Sequence, residues 1–387
     1  MKTSANSDAR TAQGECWGEL LAAGWHDVPD PLPQARDSTD PRERIMAAAA
    51  GDLAVLPIPA QFGGGDGDLV TTASAQRRLG HRDPSVAVAL NMHMHSIGLL
   101  AEHWKRHRDA SWMLMEAIGA GHQLVGSAFA EPGGSANILR SKTRAVRTRT
   151  GFALTGTKFP CSLSSTAELF CLSAQVEDEG LAIVALCPAA SPGLKVEGAW
   201  NSLGMRASDT ARVELTEVEI DRRLVFHEAP AGSVDETVID GLIWFVVLIS
   251  ATYHGVLSAL TELAAAGPGR CPAQRRAAAL VAAATELSVL GAACRSVGHG
   301  WTEGRLRGDS AMAAAAALRI HLSTATDRVL ASLRPVLGAA VYTQGSRASG
   351  LVMDALAAHH HPPSVPLCEA LIAAAGAGQP LSLDLVR

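Results

Sequence analysis

Apolar positions in the first part of the chain recur at helical spacing, in WGELLAAGWHDV, in PRERIMAAAAGDLAV and in a long stretch reaching Leu100. That spacing lets one face of a helix be buried. Pro29, Pro31 and Pro33 separate the first two segments, because proline has no amide with which to continue a helix. Gly63-Gly64-Gly65 opens a loop before the next one. From about Gly119 to Phe226 the period falls to two. TRAVRTRT alternates and turns at Thr150-Gly151 into FALTG, while LFCLSAQV and LAIVALC flank the acidic turn Asp178-Glu179-Gly180, a hairpin signal. Beyond about Val234 the helical period returns in AAALVAAATELSVLGAAC and AMAAAAALRIHL. Leu and Val recur within these Ala-rich runs, so they read as close-packed helices rather than low-complexity tails. The pattern divides the chain into helical residues 1–118, a strand-rich 119–229 and helical residues 230–387.

Composition narrows the class. A chain of 387 residues has room for two or three domains and a large core. A net charge of −5 and a pI near 6.3 argue against nucleic acid or an anionic membrane as partner. Seven cysteines without a CxxC pair read as buried thiols in a reducing compartment. MKTSANSDAR has no apolar signal region, and the longest apolar run, Leu242 to Ile249, is too short for a bilayer. The expectation is a cytoplasmic protein.

Chemistry concentrates first in LVGSAFAEPGGS, Leu124 to Ser135, an apolar strand running into Gly133-Gly134-Ser135. Two glycines allow backbone amides to turn toward an anion such as a pyrophosphate, and Ser135 adds a hydroxyl. An ordinary surface turn has the same residues. Further along come GTKFPCSLSSTAELFCLSA (Gly156 to Ala174) and WNSLGMRASDTARVELTEVEID (Trp200 to Asp221). Upstream lie LAVLPIPAQFGGGDGD (Leu53 to Asp68) and HRDPSVAVALNMH (His81 to His93). This ordered set resembles the acyl-CoA dehydrogenase superfamily of flavoproteins over roughly residues 45 to 365, with Gly204-Met205-Arg206-Ala207-Ser208-Asp209-Thr210 the closest match. The resemblance implies an α+β multidomain fold: an N-terminal helical domain, a central antiparallel β-domain and a C-terminal four-helix bundle. It also implies a flavin between sheet and bundle, in a homodimer or homotetramer that shares the cofactor across an interface.

Residue by residue, the resemblance assigns cofactor contacts to Ser127, Phe129, Ala130, Gly134 and Ser135, with Phe129 and Ala130 acting through their backbone because the family's threonine hydroxyl is missing at Ala130. Pro160-Cys161-Ser162 aligns with a Trp-Ile-Thr segment, and Ser162 keeps a hydroxyl for the flavin N5 region; a serine capping a local turn is the alternative. In VLGAAVYTQGSRASGLVMDALAAHHHPPS, Val336 to Ser364, Gly338 and Asp354 survive from a Gly-Gly-x-Gly-Phe…Arg-Asp signature, and Met353 replaces the arginine. Gly338 is expected to bring its backbone near a neighbouring subunit's cofactor. GPGRCPAQRRAAAL lacks an Arg-x-Phe-Gly loop that grips FAD, so FMN stands as the alternative to FAD. Arg270 is either a substitute for that arginine or an ordinary loop residue.

An acyl-CoA dehydrogenase needs a carboxylate to take the α-proton while hydride leaves for N5. Here the two aligned positions are Pro362 and Phe245, and Trp244-Phe245 makes the substrate end aromatic. His359-His360-His361 precedes Pro362, and histidine, with an ordinary pKa of about 6.5, can act as a base near neutrality. In flavin monooxygenases sharing this fold, a histidine from this region and a serine near N5 support oxygen chemistry. Ser162 with His361 or His360 matches that pair. The alternative is a solvated helix end, where histidines are favoured by the macrodipole. A metal site is disfavoured, since consecutive histidines on a helix point in different directions. His93 and His95, two apart on a helix, can place at most one ring in a pocket.

Three functions remain open on this reading: a dehydrogenase or oxidase of a small-molecule or carrier-bound acyl substrate, a monooxygenase fed by a flavin reductase, and a non-catalytic flavoprotein partner.

Overall fold

The computed structural model describes residues 13–27, 38–267 and 271–383; Pro29, Pro31, Pro33 and Arg270 lie outside them. Five helices precede the sheet: α1 (13–22), α2 (Pro41–Ala49), α3 (Leu69–Arg82), α4 (Pro84–His107) and α5 (Trp112–Gly121). Their starts are written in the sequence. Asp40, Asp68 and Asp83 each accept a backbone amide at the N-cap of α2, α3 and α4.

The sheet has eight strands: β1 (Val125–Ala128), β2 (Arg144–Arg147), β3 (Gly151–Cys161), β4 (Leu169–Val176), β5 (Leu181–Pro188), β6 (Leu194–Glu197), β7 (Ala211–Asp221) and β8 (Val225–Pro230). They run in the order β6-β7-β3-β2-β4-β5-β8, with β1 also on β4. The expected hairpin joins β4 to β5 in unbroken register from Leu169↔Pro188 to Val176↔Leu181, and Asp178 and Gly180 take positive φ in its turn. The sheet is antiparallel through most of its pairs, as expected, while β1 and β2 both pair with β4 in parallel. The physical reason is the excursion between them. The chain leaves one edge of β4 after Ala128, builds the Pro-Gly-Gly-Ser loop, and rejoins that edge further along in the same direction.

Beyond β8 come α6 (Glu236–Ala266), α7 (Ala273–Thr302), α8 (Gly308–Leu337), the short α9 (Arg347–Leu356) and α10 (Val365–Gly376). Helix α6 is apolar nearly all round because it is surrounded: α3 and α4 pack on it from the N-terminal part, α7 and α8 from the C-terminal part. The two helical parts therefore share one core. By length and composition α6 and α7 could each cross a bilayer, which corrects the inference from the run Leu242–Ile249 alone. In α6 that apolar window is 89% buried inside the fold. Helix α9 reaches back to the sheet domain, where the Asp354 carboxylate accepts the Met205 amide at 2.6 Å.

Candidate active site

Four elements converge on one wall. Strand β1 carries Ser127 and leads into Phe129 and Ala130; α4 contributes His95; α6 contributes Phe245 and Tyr253; the turn between α9 and α10 contributes His361. The His95 ring meets Phe129 edge-on at 5.9 Å between centroids and Phe245 at 5.6 Å. Phe245 in turn lies 6.2 Å from His361, and His361 lies 5.5 Å from Tyr253. The His361 Nε2 is 2.7 Å from the Tyr253 hydroxyl.

Hydrogen bonds fix these groups. His95 Nε2 sits 3.1 Å from the Gly241 carbonyl and its Nδ1 faces the Ser127 hydroxyl at 3.4 Å. Burial pushes His95 down to about 4 and His361 to about 3, the latter helped by the charges of Arg319 and His360. Both rings are neutral at neutral pH. Burial raises the Tyr253 phenol well above its ordinary value, with Asp354 adding to the rise. Among the described residues no carboxylate touches His95, Phe129, Phe245 or His361.

The other candidates divide. His359 pairs with Asp327 at 3.1 Å, and His360 is exposed, so of the three consecutive histidines only His361 turns inward. His93 spends both ring nitrogens on the backbone, one near the Ala54 carbonyl and one accepting the Val125 amide. Trp244 does not join Phe245 in this wall. It is 1% exposed and its ring lies against Gly98 of α4, since neighbouring residues on a helix point about 100° apart. Cys161 faces the sheet core and burial raises its thiol to about 12, so only its backbone is available to a ligand. Pro160, after a cis peptide, is exposed. Ser162 is half-buried and shares a hydrogen bond with Thr210 at 2.8 Å, which continues through Ser208 to the Met205 carbonyl. Gly338 is exposed at the end of α8, with φ +59° and open space at its α-carbon.

The Pro-Gly-Gly-Ser loop is held by groups the sequence reading passed over. Glu131 and Lys158, both buried, pair at 2.6 Å. Lys158 also donates to Ser141 and the Ser173 carbonyl, and Glu131 accepts from Ser141, Lys142 and Thr143. Burial alone would raise the Glu131 carboxyl, but Lys158 and these donors hold it near 2. Gly133 takes φ +59°, and the Lys142 ammonium lies beside it, donating to the Pro132 carbonyl at 2.8 Å. The Ser135 hydroxyl accepts the Asn137 amide and donates to the Leu383 carbonyl, so its one proton is already engaged by the C-terminal segment.

These groups fit a flavin. The Phe159 amide ties the Ala130 carbonyl to β3, the Ser162 hydroxyl donates to Thr210 and keeps its oxygen as an acceptor, and an uncharged aromatic wall continues from Phe129, as a neutral ring system needs. A glycine turn with a lysine beside it suits a phosphate.

A helix–sheet–helix fold with an aromatic, acid-free wall at the junction of its layers defines a narrow structural class. Residues 26–108 match the acyl-CoA dehydrogenase N-terminal domain and residues 126–218 the middle domain of the same family. The chain carries the N-terminal and middle domains of the acyl-CoA dehydrogenase family. It is similar to isobutylamine N-hydroxylase of Streptomyces viridifaciens, 31% identical over 242 residues that make up 60% of this chain and 63% of that protein. It is also similar to the amino sugar nitrososynthase RubN8 of Streptomyces rubradiris, 27% identical over 60% of this chain and 56% of that protein. The matched part thus spans less than two thirds of these relatives' length. The FMN-bound structure of TdsC from Paenibacillus sp. A11-2 superposes with a TM-score of 0.77 at 19% identity, covering 97% of this chain and 98% of that one.

Proposed function

We propose that this chain is a flavin-dependent monooxygenase, supplied with reduced flavin by a separate reductase and acting on a small amine or other heteroatom-bearing substrate. The observation that carries the reading is the pair of neutral histidines, His95 and His361, on a wall that no carboxylate touches. Removing a proton from carbon calls for a base whose pKa lies near the working pH. A histidine held near 3 is a poor one, but a neutral imidazole can still donate a hydrogen bond. The N-hydroxylase and nitrososynthase among the relatives support the same direction.

Backbone atoms of Phe129 and Ala130 and the Ser162 hydroxyl oxygen, as an acceptor, would hold the flavin ring, with the Gly133 amide and Lys142 at its phosphate. When bound, the flavin supplies electron transfer and oxygen activation. Phe245 and Phe129 exclude water from the substrate, and His361 orients an oxygen acceptor. FMN is favoured over FAD because the sequence between α6 and α7, GPGRCP, carries no Arg-x-Phe-Gly motif to grip the larger cofactor. A homodimer or homotetramer in the cytoplasm completes the reading.

Anaerobic mixing with candidate amines tests it. The oxidised flavin should not bleach, and turnover should need reductase, oxygen and substrate together, placing one atom of O2 in the product. Direct bleaching by substrate would establish dehydrogenation and overturn the proposal. His361→Ala should keep consuming oxygen but release hydrogen peroxide in place of product.

A further inference from the structure

The two histidines of this wall differ in which ring nitrogen carries the proton. His95 Nε2 faces the Gly241 carbonyl, which can only accept, so that nitrogen bears the hydrogen and Nδ1 keeps a lone pair toward Ser127. His361 has a different neighbour. Its Nε2 is 2.7 Å from the hydroxyl of Tyr253, a fully buried residue whose phenol stays protonated. Among the described residues that hydroxyl has no second hydrogen-bond partner. If Nε2 donated, the buried phenol hydrogen would be left without an acceptor, which is costly for a group out of water. The phenol therefore donates, Nε2 accepts, and the His361 proton sits on Nδ1. The turn itself is pinned: Arg319, fully buried, donates to the carbonyls of His361 and Ala358 at 2.9 Å each and to the Ser323 hydroxyl at 2.7 Å.

We propose that Tyr253 is a positioning residue that holds His361 in the aromatic wall as an Nδ1–H donor, opposite in polarity to the acceptor His95. Its consequence for turnover rests on the monooxygenase reading; the proton's location does not. Tyr253 acts through its hydrogen bond to His361 Nε2.

The test uses the full chain labelled with ¹⁵N-histidine, read by long-range ¹H–¹⁵N correlation at neutral pH, with His361→Gln identifying the His361 signals. In the wild type His361 should be protonated at Nδ1 and His95 at Nε2. Tyr253→Phe should move the His361 proton to Nε2 or to a mixture and leave His95 unchanged. A wild-type His361 protonated at Nε2, or a Tyr253→Phe protein with unaltered His361, would overturn the assignment. The wild-type spectrum decides even where the variant folds badly. In turnover, Tyr253→Phe should lower product formed per oxygen consumed about tenfold, the equivalent of one neutral hydrogen bond, with substrate KM unchanged. If the tautomers are as stated and no substrate is ever oxygenated, the functional reading falls and the role of Tyr253 stands.

Discussion

Residue by residue, the site depends on charges and protons that have nowhere else to go. The Glu131–Lys158 pair lies out of water beneath the glycine loop, so removing one partner strands the other. Lys158→Met should cost about 3–5 kcal/mol in urea unfolding, far more than loss of an exposed pair. An unchanged midpoint would mean that Glu131 finds solvent. The pair also sets an acid limit. The Glu131 carboxyl is held near 2 against an ordinary 4.5, so its contribution is complete above about 4.5 and is lost as pH falls through 2. Stability measured from pH 5 down to pH 2 should decline less in Glu131→Gln than in the wild type.

Between elements, the tightest crossing is α3 over α6. A Cβ on Gly80 would sit 2.1 Å from the Thr252 carbonyl oxygen, and one on Gly255 would sit 2.0 Å from that of Arg77. Backbone cannot yield to such contacts as a flexible side chain can. Gly80→Ala and Gly255→Ala should each lose about 1–3 kcal/mol by overpacking. The double variant should lose less than the sum, because the first Cβ has already pushed the helices apart. Calorimetry of the three proteins checks this, and strict additivity would show that the glycines act independently.

Across the whole molecule, Asp354 joins the C-terminal helices to the sheet through Met205. Burial raises its carboxyl to about 6 from 3.8. A raised pKa favours the protonated folded form, so its support is full below about 3.8 and wanes as pH rises through 6. Asn at this position keeps the acceptor for the Met205 amide without the buried charge. Asp354→Asn should therefore gain stability relative to wild type as pH rises from 4 to 7, whereas Asp354→Ala should lose the contact at every pH. Thermal unfolding across that range distinguishes them; parallel curves for wild type and Asp354→Asn would place the carboxylate in water.

The sequence alone determined the order of helices, sheet and helices, the β4–β5 hairpin and the stretch that forms the glycine loop. Each of these rests on local periodicity, turn chemistry or a contiguous motif, and none needs a distant partner. Side-chain direction was another matter. Trp244 and Phe245 are adjacent in the chain yet meet different neighbours, Gly98 and His95, and His359, His360 and His361 meet an aspartate, solvent and a tyrosine in turn. Which neighbour in each group turns inward depends on how the helix or turn is rotated against elements far away in sequence. Tyr253, one of two tyrosines in the chain, lay unnoticed in an apolar helix because its partner is 108 residues away. Glu131 and Lys158 stood inside quoted motifs, but only the folded sheet brings them to 2.6 Å and removes the water that would weaken their attraction. Local sequence therefore decided which elements form, while tertiary packing decided which side chains meet and where their protons lie.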